Sequence, residues 1–278
     1  LNPNDLDKED KILVWGNWQK KVFDSYNSGA ETVITGIPNF EILHPKYQKS
    51  LFEFDLEVTK GNKNYILINT RFGLGNSKRG ITEVFSSNSP TSKNYPDFFL
   101  ENFFIADNQM MFDMIELSLS IAKSFPNEKI IIRPHPNEDE NLYKQLTKKI
   151  SNINVIKSGG VESWIRMSKV LIHNGCSTAI QANIAEKKVV TYLPKNGSKF
   201  QNKYAPGLPN SIGIIAGTHE EVISAIKETG YSPADNSWKE TISELNSIDR
   251  ILKLVEENCL IDKTDSSKYI NSRFYAKE

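Results

Sequence analysis

Lys129-Ile130-Ile131-Ile132-Arg133-Pro134-His135-Pro136-Asn137-Glu138 reads as an apolar strand, a turn stiffened by two prolines, and the start of a helix. A strand with no polar alternation is buried on both faces, which is the habit of parallel sheets covered by helices on either side. The pattern repeats outward from this stretch. Tyr65-Ile66-Leu67-Ile68-Asn69 is a strand upstream, followed by a helix from about Asp107 to Phe125. Downstream come a helix from Glu138 to Ile150, a short strand at Asn154-Val155-Ile156 and a helix from Gly160 to Met167. Then follow a strand at Lys169 to His173, a helix from Ser177 to Ala185 and a strand at Lys188 to Tyr192. Strand and helix in alternation imply an α/β fold with a doubly wound, Rossmann-like parallel sheet.

Around this core the chain is less regular. Two short strands, Lys11 to Trp15 and Glu31 to Thr35, flank a helix-like stretch, and two strands cannot close a sheet of their own. Residues 1–60 are therefore expected to be a partial N-terminal domain with a linker, residues 61–230 the main Rossmann-like domain, and residues 231–278 C-terminal helices and a polar tail. The stretches Gly73 to Phe98 and Lys195 to Pro209, poor in periodicity, are expected to be long loops near a site. Helical spacing returns at His219 to Glu228 and Ser237 to Asn258. The pair Trp15 and Trp18 is expected in the core, and His44 and His219 at the surface or as caps.

Lys plus Arg and Asp plus Glu each number 34, so no global field draws in nucleic acid or an anionic membrane. Any anionic ligand must be held by a local site. The two cysteines, Cys176 and Cys259, offer neither a disulfide framework nor metal-ligand spacing, and suit a cytoplasmic protein, soluble or at most peripheral at the inner membrane. No metal and no cofactor is expected, since no paired-carboxylate metal motif is visible.

Ligands of open parallel sheets sit outside the carboxyl ends of the strands, which directs attention to three turns. In the first, the prolines on either side of His135 present its imidazole with little conformational freedom, and Arg133 stands ready for a bidentate grip on a phosphate. The alternative is that Asn137 merely caps a helix and His135 bonds to backbone. In the second, His173-Asn174-Gly175-Cys176-Ser177-Thr178, Gly175 lets backbone approach a ligand, and Ser177 and Thr178 bring hydroxyls to a helix start that attracts anions. A plain N-cap is an equal alternative for Ser177 or Thr178, and Cys176 reads as a small buried thiol. In the third, Asn69-Thr70-Arg71-Phe72-Gly73-Leu74-Gly75-Asn76, Asn69 and Arg71 are polar groups at a strand end and the glycine pair can admit a phosphate or an acceptor.

Taken with Thr35-Gly36-Ile37-Pro38-Asn39-Phe40-Glu41-Ile42-Leu43, these segments resemble the surface carbohydrate biosynthesis proteins, and more widely the two-domain glycosyltransferases of GT-B architecture. Bacterial sialyltransferases, polysialyltransferases, capsule Kdo transferases and teichoic acid polyol-phosphate polymerases are similar in carrying a His-Pro motif and a downstream Ser or Thr motif. The resemblance covers most of Val33 to Tyr192. It implies a GT-B C-terminal domain that holds the phosphate of a cytidine-activated donor through His135 and through Ser177 or Thr178, with Glu138 and Asn174 nearby; Arg133 and Pro136 are counted with them as substrate-binding residues. The expected activity is sugar transfer, inverting or retaining, from a CMP-sugar such as Kdo or another nonulosonate to a saccharide or lipid-linked saccharide, with His135 stabilising the departing phosphate. Two other readings stand beside it. One is a UDP-sugar 2-epimerase, which needs acid and base carboxylates in the cleft. The other is a noncatalytic nucleotide-binding module.

Overall fold

The computed structural model describes residues 10–26, 29–86, 98–195, 207–229 and 246–258. The chain divides into two compact units, one of Leu1–Glu41 with Lys239–Glu278 and the other of Ile42–Trp238.

In the first unit, β1 (Lys11–Val14) pairs in parallel with β2 (Glu31–Ile34) across α1 (Asn17–Asp24). The short helix α2 (Pro38–Glu41) ends in the buried Glu41, whose carboxylate accepts the Ser247 hydroxyl at 2.7 Å and the Ile248 N–H at 3.1 Å. These two residues begin the helix Ser247–Asn258, so an acidic side chain meets the positive end of that helix from a point far away in the sequence. The expectation for the two tryptophans is corrected here: Trp15 is 46% and Trp18 62% exposed. A two-stranded sheet is too small to bury both.

The second unit opens with α3 (Gln48–Val58), which has no counterpart in the sequence reading. Its Asp55 receives the guanidinium of Arg166 in a buried two-pronged pair, Nε and Nη2 each at 2.7 Å, while Nη1 of Arg166 donates to the Ile42 carbonyl at 3.1 Å. Breaking a buried pair of this kind typically costs about 3–5 kcal/mol. It ties residues from 42 onward to this unit, whereas the sequence suggested a boundary near residue 60.

Six parallel strands follow: β3 (Tyr65–Asn69), β4 (Ile130–Arg133), β5 (Ile153–Val155), β6 (Ser168–His173), β7 (Lys188–Tyr192) and β8 (Ile214–Ala216). Their spatial order is β5-β4-β3-β6-β7-β8. This is the doubly wound Rossmann order, with the direction of winding reversing between β3 and β6. Among the described residues the helices between them are α4 (Ile81–Val84), α5 (Phe99–Ser124), α6 (Glu140–Thr147), α7 (Val161–Met167), α8 (Thr178–Ile184) and α9 (Gly207–Asn210), and α10 (His219–Lys227) follows β8.

Alternate strand residues fill two layers. Ile66, Ile68, Ile130, Ile132, Val170, Ile172 and Val190 pack with Met110, Met111, Met114, Leu117 and Ile121 of α5, Tyr143 of α6 and Val222 of α10. The opposite face, with Leu67, Ile131, Leu171 and Val189, is also fully buried, and α7 and α8 pack there against β3, β6 and β7. Each such fully buried aliphatic side chain stabilises the fold by about 1.5–3 kcal/mol.

Two differences from the expected elements have local causes. Helix α5 starts at Phe99 instead of about Asp107, after Phe98 in a left-handed conformation (φ 64°). Its aromatic first turns, including Phe99 stacked on Phe103, hide the polar alternation that marks a helix start. Strand β8 is three residues long, lies at the sheet edge, and follows Gly213 (φ +82°), where an added Cβ would fall 2.3 Å from the Val189 carbonyl oxygen. Of the expected loops Gly73 to Phe98 and Lys195 to Pro209, the described parts contain the short helices Ile81–Val84 and Gly207–Asn210, while residues 87–97 and 196–206, with the expected helical start at 237–245, lie outside the described residues.

Candidate functional site

Parallel register sets the site. Asn69 at the end of β3 lies opposite Arg133 of β4 on one side and His173 of β6 on the other. The His135 and Ser177 turns therefore emerge on either side of Asn69, at the reversal point where ligands of such sheets bind. Two strand spacings put them roughly 10 Å apart.

The end of β3 is bonded to both turns. Toward β6, the Asn69 Nδ2 donates to the Thr178 hydroxyl at 3.0 Å, and that hydroxyl donates to the Cys176 sulfur at 3.0 Å. Toward β4, the Thr70 hydroxyl donates to the Glu138 carboxylate at 2.8 Å. Arg71 spans further: Nε donates to the Asn174 carbonyl at 2.9 Å, Nη2 to its Oδ1 at 3.3 Å, and Nη1 lies 3.5 Å from Asp107. Burial pushes the Asp107 carboxyl up to about 6, against the N–H of Gly75 and the charge of Arg71. Gly75 serves packing: its N–H donates to Asp107 at 2.9 Å, and an added Cβ would lie 2.9 Å from the Asn108 side chain on α5.

At the first turn, Pro134 is buried whereas His135, Pro136 and Asn137 are exposed. The His135 Nδ1 accepts the Asn137 N–H at 3.2 Å. A nitrogen that accepts carries no proton, so the neutral ring bears its proton on Nε2, which has no hydrogen bond among the described residues. Partial burial and the nearby Lys157 charge both hold the His135 pKa below its usual value. The helix is capped by Asp139, whose carboxylate accepts the Asn141 N–H at 2.9 Å, and Asn137 is not the cap.

Glu138 is fully buried beneath this turn. Its carboxylate accepts the His135 N–H at 2.8 Å, the Thr70 hydroxyl, and the Tyr143 hydroxyl in a short bond. Burial raises its pKa, while these donors pull the other way. With its oxygens so occupied, Glu138 touches the His135 turn from inside. Arg133 is likewise engaged within the protein, as its guanidinium donates to the Ser158 and Gly159 carbonyls at 2.8 Å each.

The second turn is closed on its inner side. Gly175 adopts φ 64° and gives its N–H to the Asn210 Oδ1 at 2.6 Å, and Asn174 gives Nδ2 to the Tyr192 carbonyl at 2.8 Å. His173 is wholly buried, with Nδ1 accepting the Cys176 N–H at 3.3 Å. Thr191 donates its only hydroxyl proton to the Ile212 carbonyl at 2.6 Å, so at 2.8 Å it accepts from His173 Nε2–H. Burial, with the Arg71 charge second, pushes the His173 pKa down to about 3, and the ring is neutral scaffold. Ser177 is exposed, and neither its amide nor its hydroxyl has a hydrogen-bond partner among the described residues.

The structure thus pairs Asn69 with Thr178, Arg71 with Asn174 and Gly175 with Asn210, and leaves His135 and Ser177 exposed. Sequence reasoning missed Thr70, Tyr143, Asn210 and Lys157. For Lys157 a signal existed: Ile156-Lys157-Ser158-Gly159-Gly160 is also a polar, glycine-rich stretch directly after a strand. No cluster of three or more His, Cys, Asp or Glu able to hold a metal occurs among the described residues, and none of their helices is long and apolar enough to cross a membrane.

No family model matches the chain, and no curated protein matches it. Among solved structures, a histidine-to-asparagine variant of the wall teichoic acid polymerase TagF is similar, with a TM-score of 0.56 and 13% identity over 90% of this chain and 58% of that one. The same polymerase soaked with CDPG gives 0.51 at 13% identity, again over 90% and 58%. UDP-GlcNAc 2-epimerase from Neisseria meningitidis bound to UDP-GlcNAc gives 0.43 at 13% identity, over 86% and 59%. This chain spans about 58% of the length of the TagF chain it matches. What is shared with TagF is the fold: the second unit is a Rossmann-like, doubly wound α/β domain of the GT-B kind.

Proposed function

We propose that this chain is the donor-binding part of a GT-B glycosyltransferase of bacterial surface polysaccharide synthesis, and that a nucleotide phosphate lies between the His135 and Ser177 turns. The observation that carries this reading is the pair of unused donors at the reversal point of the sheet. His135 offers an Nε2–H whose direction is set by the Asn137 bond, and Ser177 offers an amide and a hydroxyl. Donors fixed in advance on opposite sides of one position suit an anion whose charge grows as a leaving group departs. Negative charge building on the phosphate strengthens the hydrogen bond that it accepts from the His135 Nε2–H.

A cytidine nucleotide, in a CMP-sugar such as Kdo or another nonulosonate, is the favoured donor, on the resemblance of the two motifs. The acceptor is a saccharide or lipid-linked saccharide, and the protein works in the cytoplasm, at most peripheral to the inner membrane. Asp107 and Glu138 are the buried carboxyls beside the site, but both are engaged by donors from the protein, which disfavours the acid and base roles an epimerase requires.

Calorimetry with CMP and UDP tests the reading. CMP is expected to bind more tightly than UDP, and His135→Ala to weaken CMP by about ten-fold, the usual worth of one hydrogen bond to a charged group. Equal or absent binding of both nucleotides removes the donor assignment, and an unchanged affinity in His135→Ala removes the site. Conversion of UDP-N-acetylglucosamine to its 2-epimer would establish the rival activity.

A further inference from the structure

The positive charge at the first turn would be assigned from sequence to Arg133, which adjoins the His-Pro motif. We infer that Lys157 is the cation that meets a phosphate at this turn, and that Arg133 holds in place the loop on which Lys157 stands; the inference rests on the nucleotide reading above.

Arg133 has other work. It is 8% exposed, its two terminal nitrogens donate to the carbonyls of Ser158 and Gly159, and its guanidinium lies 5.2 Å from the centre of the Trp164 ring. Burial lowers its pKa to about 10, which still leaves it charged at neutral pH. Those carbonyls belong to the two residues that directly follow Lys157. The Trp164 Nε1–H adds a third bond to the same stretch, reaching the Ser158 carbonyl at 3.0 Å. Gly159 has φ +77°, and an added Cβ there would fall 2.7 Å from the Val58 side chain, so the loop is held by shape as well as by bonds.

Lys157 is left facing the His135 turn. Its Nζ donates to the backbone carbonyl of Glu138 at 2.5 Å, which uses one of its three donors and places the ammonium beside the segment that carries His135. Among the described residues no carboxylate lies within ion-pair distance of it. The carboxylate of Glu138 is nearby in sequence but turned inward to Thr70, Tyr143 and the His135 N–H. The result is a half-buried ammonium next to the His135 imidazole, whose pKa is lowered first by burial and further by the Lys157 charge. A phosphate accepting from both His135 Nε2–H and Lys157 Nζ would neutralise the lysine and relieve the imidazole together. Lysine recognises it as a point charge, whereas the fork of Arg133 is already matched to a pair of carbonyls.

The test uses Lys157→Met, which removes the charge and keeps the stem. CMP affinity measured by calorimetry is expected to fall by about ten-fold or more, with cytidine binding unchanged and the salt dependence of CMP binding reduced. Wild-type CMP affinity in Lys157→Met overturns the inference and leaves the nucleotide reading standing. Failure of the unaltered chain to bind CMP or UDP overturns that reading instead, and inorganic phosphate then decides the role of Lys157. Phosphate should shift the His135 ring signals in NMR of the wild type and leave them in place in Lys157→Met; a wild-type ring that ignores phosphate overturns the inference. Without any ligand, Lys157→Met should raise the His135 pKa. In Arg133→Lys the amide signals of Ser158 and Gly159 should move before nucleotide is added, whereas a direct phosphate contact by Arg133 would leave them unmoved until it is.

Discussion

Of the histidine turns in which Nδ1 accepts a backbone N–H, His44 caps a short helix outside the sheet, while His135 and His173 stand at strand ends and differ in what the far ring nitrogen meets. In both, Nδ1 accepts a backbone N–H a few residues onward, from Asn137 at His135 and from Cys176 at His173. That bond fixes the tautomer and leaves Nε2 as the donor. At His173 the donor is consumed by Thr191, inside a fully buried ring of bonds. At His135 it faces outward. The same local chemistry therefore yields a structural peg in one strand end and a presented donor in its neighbour but one. The facing strand makes the difference, since β7 supplies Thr191 in register with His173, whereas among the described residues no partner meets the His135 Nε2.

The comparison breaks most directly by mutation. His173→Ala should cost about 3 kcal/mol of unfolding free energy in urea, from the cavity and from two polar partners left unpaired. His135→Ala, an exposed site, should stay within about 0.5 kcal/mol of wild type. Equal losses would show that the two rings are not peg and donor.

Acid titration sharpens it next. His173 is held neutral with a folded pKa of about 3, below its unfolded value, so its contribution is complete at neutral pH and is lost as pH falls below about 6.5. Asp107, pushed up to about 6, has the opposite sign: its contribution is complete in acid and is lost as pH rises through 6. The wild-type unfolding free energy should thus fall between about pH 6 and pH 4 less steeply than His173 alone would dictate. His173→Asn, with no titrating ring, should flatten or reverse that slope, as denaturation at each pH would report.

A smaller effect is expected at Glu138, the buried support of the outward turn. Glu138→Gln must turn an amide donor toward Thr70, Tyr143 or the His135 N–H, and should cost about 1–2 kcal/mol. It should also move the His135 ring signals in NMR although Gln cannot reach a ligand from that position. An unmoved ring would separate Glu138 from the donor.

Much of the fold was legible in advance because it depends on short-range pattern. The strands at Tyr65 to Asn69, Ile130 to Arg133 and Ser168 to His173 have no polar alternation, and that alone required helices on both faces. Strand β8 escaped because three edge residues between glycines carry no period, and α3 because its anchor, Asp55, acquires meaning only with Arg166, 111 positions away. Within the site, the location of the turns could be read but not their occupancy. Arg133 looked like the phosphate grip because nothing in Arg133-Pro134-His135-Pro136 reveals that the carbonyls of Ser158 and Gly159 already fill its fork.

By itself, then, the sequence determined a parallel, doubly wound sheet and the three polar turns at its strand ends, since burial periodicity and proline or glycine turns act within a few residues. The tertiary structure decided which polar groups at those ends remain free. Asn69 meets Thr178 across 109 positions, Arg71 meets Asn174 across 103 and Thr70 meets Glu138 across 68. A hydrogen bond is satisfied by whatever the fold brings within about 3 Å, and proximity of that kind is created by strand order and register, which no single stretch of chain contains.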